Sequence, residues 1–180
     1  MLNNPKYSGT TMKQFISLVT FLITITTTWA QGKNYDTLQA RVAEKNLQSG
    51  FYFALPDTSN SSGFKVYNKN EYYFLSSSPV VTLVDFDTVY KDFKPYLNHH
   101  VLIFKFSEAG TKKWFEFTKR YQNQQTGLII NNELIYVATI ASPIESGVSW
   151  LAGGHTEKQI DDFKKIFESE IQKAKKTHPD

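Results

Sequence analysis

The pattern of apolar and polar positions is clearest in the second half of the chain, between Val101 and Phe167. It predicts a strand, a helix, a hairpin, a further strand and a final helix. The first strand, Val101–Phe106, is apolar at every position but one, which is typical of a strand in the middle of a sheet. Elements in this order predict an α+β fold, a mostly antiparallel sheet with helices packed on one face.

Start signals mark both helices of this stretch. Ser107 is a good N-cap, and three aromatic residues recur behind it at helical spacing: Trp114, Phe117 and Tyr121. Thr156 and Gln159 have the spacing of a capping box at the start of the last helix. The apolar stripe of that helix consists of Ile160, Phe163, Ile166, Phe167 and Ile171. We expect both helices to pack these stripes against the sheet.

Turn-forming residues between extended segments predict two hairpins. One turns at Asn68-Lys69-Asn70 and the other at Asn131-Asn132, where asparagine tolerates the positive φ of a tight turn. The strands of the two hairpins are Phe64–Tyr67 with Glu71–Leu75, and Gly127–Ile130 with Leu134–Ile140. Two further strands are predicted outside the hairpins, at Phe51–Leu55 and Val148–Ala152.

Between these strands and Val101, the sequence predicts a short helix and a loop. Thr88–Phe93 is interpreted as one or two helical turns, capped by Asp85 or Asp87. The loop Leu97–His100 follows, and it contains the only histidine pair. Because a metal site needs three or four converging ligands, we predict no metal there.

The first thirty residues have the pattern of a signal peptide. Lys13 precedes the apolar run Phe15–Ile25, and small residues lead to Ala30, so cleavage between Ala30 and Gln31 is expected. Met12 is an alternative start, because MKQFISLV is a more ordinary opening for a signal peptide than MLNNPKYS. The alternative is a retained N-terminal membrane anchor, although a spanning helix needs about 20 apolar residues. We therefore expect a periplasmic or secreted protein.

Three regions follow from this interpretation. Residues 1–30 are the signal peptide, and residues 31–50 form a leader or a short helix at Asp36–Leu47. Residues 51–175 form a single domain, as expected for a chain of this length.

Composition narrows the classes of function. The chain has no cysteine, which excludes disulfides, thiolate metal sites and a cysteine nucleophile. Without the two lysines of the first thirty residues, 18 basic and 17 acidic residues remain, so the mature chain is nearly neutral. This balance is not typical of proteins that bind nucleic acids or anionic membranes. No cofactor motif is present, and we predict no cofactor.

The order of several segments in the second half matches a known pattern. Phe115-Glu116-Phe117-Thr118 ends a helix, Gly127–Ile130 leads into the Asn131-Asn132 turn, and Leu151–Thr156 leads into the last helix. In this order, residues 101–171 resemble the head subdomain of the first periplasmic domain of the SecD/SecDF protein-export family. Two details differ: that family has Asp-Gly at the turn, and tends to have Ala-Pro where this chain has Ala138-Thr139.

The resemblance implies an α+β fold, a location outside the cytoplasm and a surface that meets polypeptide chains. It implies no catalytic residues. SecD and SecDF proteins also carry transmembrane helices that couple proton flow to movement of the periplasmic domain. No segment after residue 30 is apolar and long enough for such a helix, so we expect a head-like module without the translocation motor.

Two surfaces are candidates for binding a protein or peptide, in a role accessory to export or to the cell envelope. These surfaces are the aromatic hairpin Phe64–Leu75 and the loop Pro143–Gly147. The candidate residues are Tyr67, Tyr72, Tyr73, Pro143, Ile144, Glu145 and Trp150. The alternative for the hairpin tyrosines is packing of their rings across neighbouring strands. A different hypothesis is a small-molecule or glycan binder that stacks its ligand on Tyr67, Tyr72, Tyr73 and Trp150.

A secreted hydrolase is the third hypothesis. Ser146, Ser149 and His155 are close in sequence, and Asp161 and Asp162 follow. No nucleophile-elbow motif surrounds the serines, so we predict no catalytic residue and a non-enzymatic protein.

Overall fold

The computed structural model describes residues 47–60 and 62–177. The predicted signal peptide and the predicted helix Asp36–Leu47 fall outside these residues, apart from Leu47 itself. The described strands are β1 (Gly50–Pro56), β2 (Phe64–Lys65), β3 (Tyr72–Leu75), β4 (Val81–Thr82), β5 (Phe86–Lys94), β6 (His99–Phe106), β7 (Gln125–Ile130), β8 (Glu133–Thr139) and β9 (Val148–Leu151). The α-helices are α1 (Glu108–Arg120) and α2 (Glu157–Thr177).

The strands form two sheets whose named strands pair antiparallel. The larger sheet has the order β2-β3-β1-β7-β8, with β4 also paired to β1, and the smaller sheet has the order β5-β6-β9. This confirms the α+β class and the mostly antiparallel pairing, although the strands are divided between two sheets. It also confirms that the strand containing Val101–Phe106 is central, because β6 lies between β5 and β9.

The larger sheet curls until its two edge strands meet. A parallel bridge joins Val66, just after β2, to Leu134 of β8, and the Tyr67 amide donates to the Leu134 carbonyl at 2.8 Å. The curl encloses a small inner core of Tyr52, Ala54, Val66, Tyr73, Leu75, Ile129 and Leu134. Because side chains alternate along a strand, the neighbouring Phe51 and Phe53 of β1 point the other way, into the main core.

Aromatic side chains dominate the main core, which both helices cover. The Trp114 ring of α1 lies 4.8 Å from that of Phe51, and the Phe167 ring of α2 lies 4.9 Å from that of Phe86. The predicted stripes of both helices are buried, except that Tyr121 is half-buried and Ile166 is exposed.

Both predicted helix starts are confirmed. The Ser107 hydroxyl accepts from the Gly110 amide at 3.2 Å. The Thr156 amide donates to the Gln159 side chain at 2.7 Å, and the Gln159 amide donates to the Thr156 hydroxyl at 3.3 Å. Asn131 and Asn132 both have positive φ, which confirms the tight turn between β7 and β8.

The predicted helix Thr88–Phe93 is wrong, because these residues belong to β5. Their pairing with β6 continues to Lys94 opposite His99, so the histidine pair begins a strand and is not in a loop. A single 3-10 turn, Leu83–Asp85, stands before β5, with Thr82 as its N-cap and the Asp85 carboxylate accepting from the Thr82 amide at 2.9 Å. The local pattern favoured a helix, but antiparallel pairing with the strongly apolar β6, which follows after the short turn 95–98, decides the conformation.

Within residues 47–60 and 62–177, no helix combines the length and apolar character needed to cross a membrane.

Candidate functional site: an open aromatic face

The smaller sheet buries one of its faces against α2. Leu102 and Phe104 of β6 point to this side, and the Phe104 ring lies 5.1 Å from that of Phe167. Lys91 of β5 fixes the start of the helix through ion pairs with Glu157 at 2.9 Å and Asp161 at 2.7 Å. The alternating residues of the same strands therefore lie on the opposite face.

The opposite face carries two exposed rings in one row. Tyr90 of β5 lies opposite Ile103 of β6, and Ile103 lies opposite Trp150 of β9, so the three side chains project from the same side. Tyr90 and Trp150 are 42% and 43% exposed, whereas Ile103 between them is only 5% exposed. The two rings thus shield the isoleucine and remain open to solvent. We call the row of Tyr90, Ile103 and Trp150 the open face.

Charges at the border of the open face are balanced. The Lys94 ammonium lies 5.5 Å from the centre of the Trp150 ring and bonds the Asp92 carboxylate at 2.6 Å. This hydrogen bond raises the pKa of Lys94 and lowers the pKa of Asp92, so both stay ionised near neutral pH. On the other side, Lys105 pairs with Asp87 at 3.0 Å. The rings therefore have nearly neutral surroundings.

The turn between β5 and β6 carries other exposed apolar side chains, which lie outside the open face. Tyr96 is 70% exposed and Leu97 is 37% exposed. Phe93 is also exposed, on the α2 side of the sheet, where its ring packs edge-on against His100 at 5.2 Å.

Sequence reasoning identified Trp150 as a candidate but missed Tyr90, because it assigned Tyr90 to a helix. The turn formers Pro95 and Asn98, between Lys94 and the apolar strand, are the hairpin signal that could have found it.

The three predicted tyrosines of the first hairpin do not form one stacking platform. Tyr73 belongs to the inner core, and burial is the main cause that raises its pKa. Tyr72 is half-buried, with the Lys65 ammonium 5.9 Å from its ring centre. Tyr67 packs edge-on against Phe163 of α2 at 5.6 Å. The rings thus have three different environments, and Trp150 lies on the other sheet.

The predicted loop Pro143–Gly147 lies against α1. The Ile144 amide donates to the Thr118 hydroxyl at 2.9 Å, and Pro143 and Ile144 are half-buried. Glu145 is exposed and borders a shallow groove of about 490 Å³, which it shares with Glu108, Thr111, Lys112 and Phe115. These loop residues therefore form a surface on α1 and are not part of the open face.

His155 lies in a cavity of about 380 Å³ at the start of α2. The cavity is lined by Tyr67, Asn68, Lys69, Ile135, Tyr136, Ala152, Gly153, Gly154 and His155. The imidazole packs on the Phe163 ring at 5.4 Å, and its Nδ1 is buried without a hydrogen-bond partner. Burial, with a smaller contribution from Lys69, lowers the pKa of His155, so the ring is neutral at pH 7.

Neither a triad nor a metal cluster is formed by the residues that the structure describes. None of their hydrogen bonds joins His155 to Ser146, Ser149 or a carboxylate. Asp161 and Asp162 instead bond Lys91 and Lys158. No group of three or more histidine, aspartate or glutamate side chains in the described part of the chain is placed to hold a metal ion.

Comparison with protein families gives a match to the SecDF P1 head subdomain over residues 59–169. The chain belongs to this family. We refer to the described domain as the head subdomain from here on. No curated protein matches the chain.

Solved SecDF structures are similar to the head subdomain in fold. One of them, a membrane component SecDF that enhances protein export, has 10% sequence identity and a TM-score of 0.52; the match covers 93% of this chain and 72% of that one. SecDF from Thermus thermophilus has 12% identity and a TM-score of 0.49, and SecDF in a super-membrane-facing form has 17% identity and the same TM-score. These two matches cover 69% and 53% of this chain but only 20% and 13% of the SecDF chains.

Proposed function

We propose that the head subdomain is a non-enzymatic module that binds polypeptide outside the cytoplasm, in a role accessory to protein export or to the cell envelope. Its family supports this proposal, since a protein of similar fold is described as a SecDF component that enhances protein export. The signal-peptide pattern of the first thirty residues supports the location.

The open face is the observation that carries the proposal. Tyrosine and tryptophan are the residues most enriched at the energetic centres of protein interfaces, because a rigid ring buries a large area at a low cost in entropy. Tyr90 and Trp150 are both more than 40% exposed and flank an apolar floor at Ile103. Because the charges of Lys94 and Asp92 balance, the surface favours neither acidic nor basic polypeptides. This suits a surface that binds polypeptides of varied sequence.

The second predicted surface, at Pro143, Ile144 and Glu145, is proposed as a secondary contact. The groove between Glu145 and α1 is lined by Phe115 and by the stem of Lys112. It could accommodate a further part of a long polypeptide that is held at the open face.

The test is a binding titration with a fluorescently labelled polypeptide that has been chemically modified so that it cannot fold. The variants are the double replacement Tyr90→Ser with Trp150→Ser, and the control Tyr96→Ser, which removes an exposed ring from the turn outside the open face. We expect the double variant to bind at least about tenfold more weakly, since each ring contributes about 1 kcal/mol or more to the free energy of binding. The control should bind like the unmodified protein. Equal affinity of all three proteins would contradict the proposal.

A further inference from the structure

Strand β9 forms one edge of the smaller sheet, and its register shows which backbone groups face outward. The Phe106 amide donates to the Gly147 carbonyl at 2.9 Å, and the same register continues to Leu102 opposite Leu151. In an antiparallel pair, backbone groups alternate between the two sides of the strand. The backbone groups of Ser149 and Leu151 therefore face β6, and those of Val148 and Trp150 face away from the sheet.

These outward groups are unused in the part of the chain that the structure describes. β9 pairs only with β6 there, and neither Val148 nor Trp150 has another backbone or side-chain hydrogen bond. Edge strands are often protected by a proline or by a charged side chain that blocks pairing. β9, with the sequence VSWL, carries neither. The edge is thus a ready template for another extended chain.

The side chains of the same two residues define what such a chain would contact. Val148 and Trp150 project from the open face, because Trp150 lies opposite Ile103 and Val148 lies opposite Lys105. In an added strand, the residue that pairs with Trp150 would place its side chain on this face, with its Cβ about 5 Å from that of Trp150. Alternate residues of the added strand would therefore meet the tryptophan ring and the valine.

The edge of β9 leads directly into the cavity at His155. Ala152, which follows the last residue of β9, lines this cavity together with Gly153 and Gly154. Both glycines have positive φ, and no atom lies within 4 Å of where a Cβ would be, so this part of the cavity is open. Tyr67 and Tyr136 supply aromatic walls. A chain that extends past β9 thus reaches a hollow large enough for a side chain.

We propose that the head subdomain binds an extended segment of a client polypeptide as a fourth strand alongside β9. The segment pairs its backbone with Val148 and Trp150, places apolar side chains at alternate positions on the open face, and inserts a further side chain beside His155. The inference rests on the proposed function, since it specifies how the polypeptide is bound. The backbone hydrogen bonds to β9 would then allow segments of many sequences to bind. A preference for apolar residues would come from Trp150 and the cavity.

The test uses amide hydrogen exchange, measured by NMR, with and without a short peptide of alternating valine and threonine that carries a lysine at each end. Val148 and Trp150 should exchange freely in the protein alone and at least about tenfold more slowly with peptide, because their amides become hydrogen-bonded. Ser149 and Leu151 serve as controls within the same strand. Binding without protection of Val148 and Trp150 would overturn strand addition but leave the proposed function intact.

Two modified peptides make the test specific to backbone pairing. We take the added strand as antiparallel, like the named strands of the sheet. When valines then face Trp150, their amides point toward β9 and the threonine amides point away. N-methylation of the valines should therefore weaken binding by about tenfold or more, whereas N-methylation of the threonines should have little effect. Equal affinity of both modified peptides would contradict the proposal.

Two other results separate this proposal from the alternatives. If neither the peptide nor an unfolded polypeptide binds, the proposed function fails together with strand addition. If Val148 and Trp150 are already protected in the protein alone, and protection increases with protein concentration, a second copy of this chain occupies the edge and the client proposal is wrong.

Discussion

At the scale of single residues, Trp114 and Trp150 have very different surroundings. Trp114 is 1% exposed and contacts the rings of Phe51, Phe106 and Phe117 at centroid distances of 4.8 to 5.6 Å. Trp150 is 43% exposed, and a lysine lies over its ring. We therefore assign Trp114 to stability, whereas the exposed Trp150 is the residue for which we propose a role in binding.

The first prediction compares these two residues. Trp114→Ala should lower the free energy of unfolding by roughly 3–5 kcal/mol, because it leaves a large cavity in a packed core. Trp150→Ala should lower it by less than about 1 kcal/mol, because the ring is already partly solvated. Chemical denaturation of both variants measures the difference. Similar losses for the two would show that Trp150 is a core residue and not a free binding surface.

Asp57 organises the loop that follows β1. Its carboxylate accepts hydrogen bonds from the Ser59 hydroxyl and from the amides of Ser59, Ser62 and Gly63. The Ser59 hydroxyl is the largest of the causes that hold the pKa of Asp57 well below its usual range. The aspartate is therefore ionised more readily in the folded protein than in the unfolded chain.

The second prediction is the pH dependence that this shift causes. Since the pKa in the folded state is depressed, ionised Asp57 stabilises the protein above the unfolded-state pKa of about 4, and this contribution is lost as the pH falls toward the folded-state pKa. Thermal unfolding of Asp57→Asn should show a lower midpoint than the unmodified protein at pH 7. The gap should shrink below about pH 4. A gap that stays constant in acid would contradict this role, and Asp87→Asn, which removes an exposed ion pair, is the control.

At the scale of elements, the sequence predicts those parts whose structure is decided locally. Ser107, Thr156 and Gln159 form the predicted caps, because a cap depends on residues within one turn. β5 was not predicted in the same way, since Asp85 and Asp87 before it suggested a helix cap, whereas pairing with β6 across the turn 95–98 decides its conformation. Tyr73 was predicted at the surface, and only the curl of the larger sheet, closed at Val66 and Leu134, explains its burial.

The third prediction concerns the cap of α2. Thr156→Ala should cost about 1 kcal/mol in the free energy of unfolding, because the Gln159 amide loses its acceptor. Thr156→Ser keeps the hydroxyl and should remain within a few tenths of the unmodified protein. Urea denaturation of both variants measures this difference. If alanine and serine have equal effects, the capping box does not stabilise the helix.

At the scale of the whole molecule, the arrangement of two sheets determines which part of the candidate site could be predicted. Trp150 was selected from the sequence because it is a large ring in a strand, but its neighbours Tyr90 and Ile103 lie 60 and 47 positions earlier in the chain. Their alignment with Trp150 depends on the long-range pairing of β6 with β9, which no local pattern encodes. The family was nevertheless predicted, since the order of elements between Val101 and Phe167 is itself a signature.

The fourth prediction concerns processing after the first thirty residues. The pattern that ends at Ala30 predicts a mature protein that begins at Gln31. N-terminal sequencing of the protein recovered from its own cell envelope tests this directly. An N-terminus at Met1 or Met12 in the membrane fraction would instead support the retained anchor.

The central claim is that the open face contacts polypeptides during export, and in vivo photo-crosslinking tests it most directly. A photoreactive residue replaces Trp150 in one variant and Lys165, on the exposed side of α2, in the control. Cells are pulse-labelled before irradiation, so that newly exported chains can be followed. The account predicts adducts with labelled chains at position 150 that disappear during a chase, and few at position 165. Absence of such adducts at position 150, or equal yields at both positions, would contradict it.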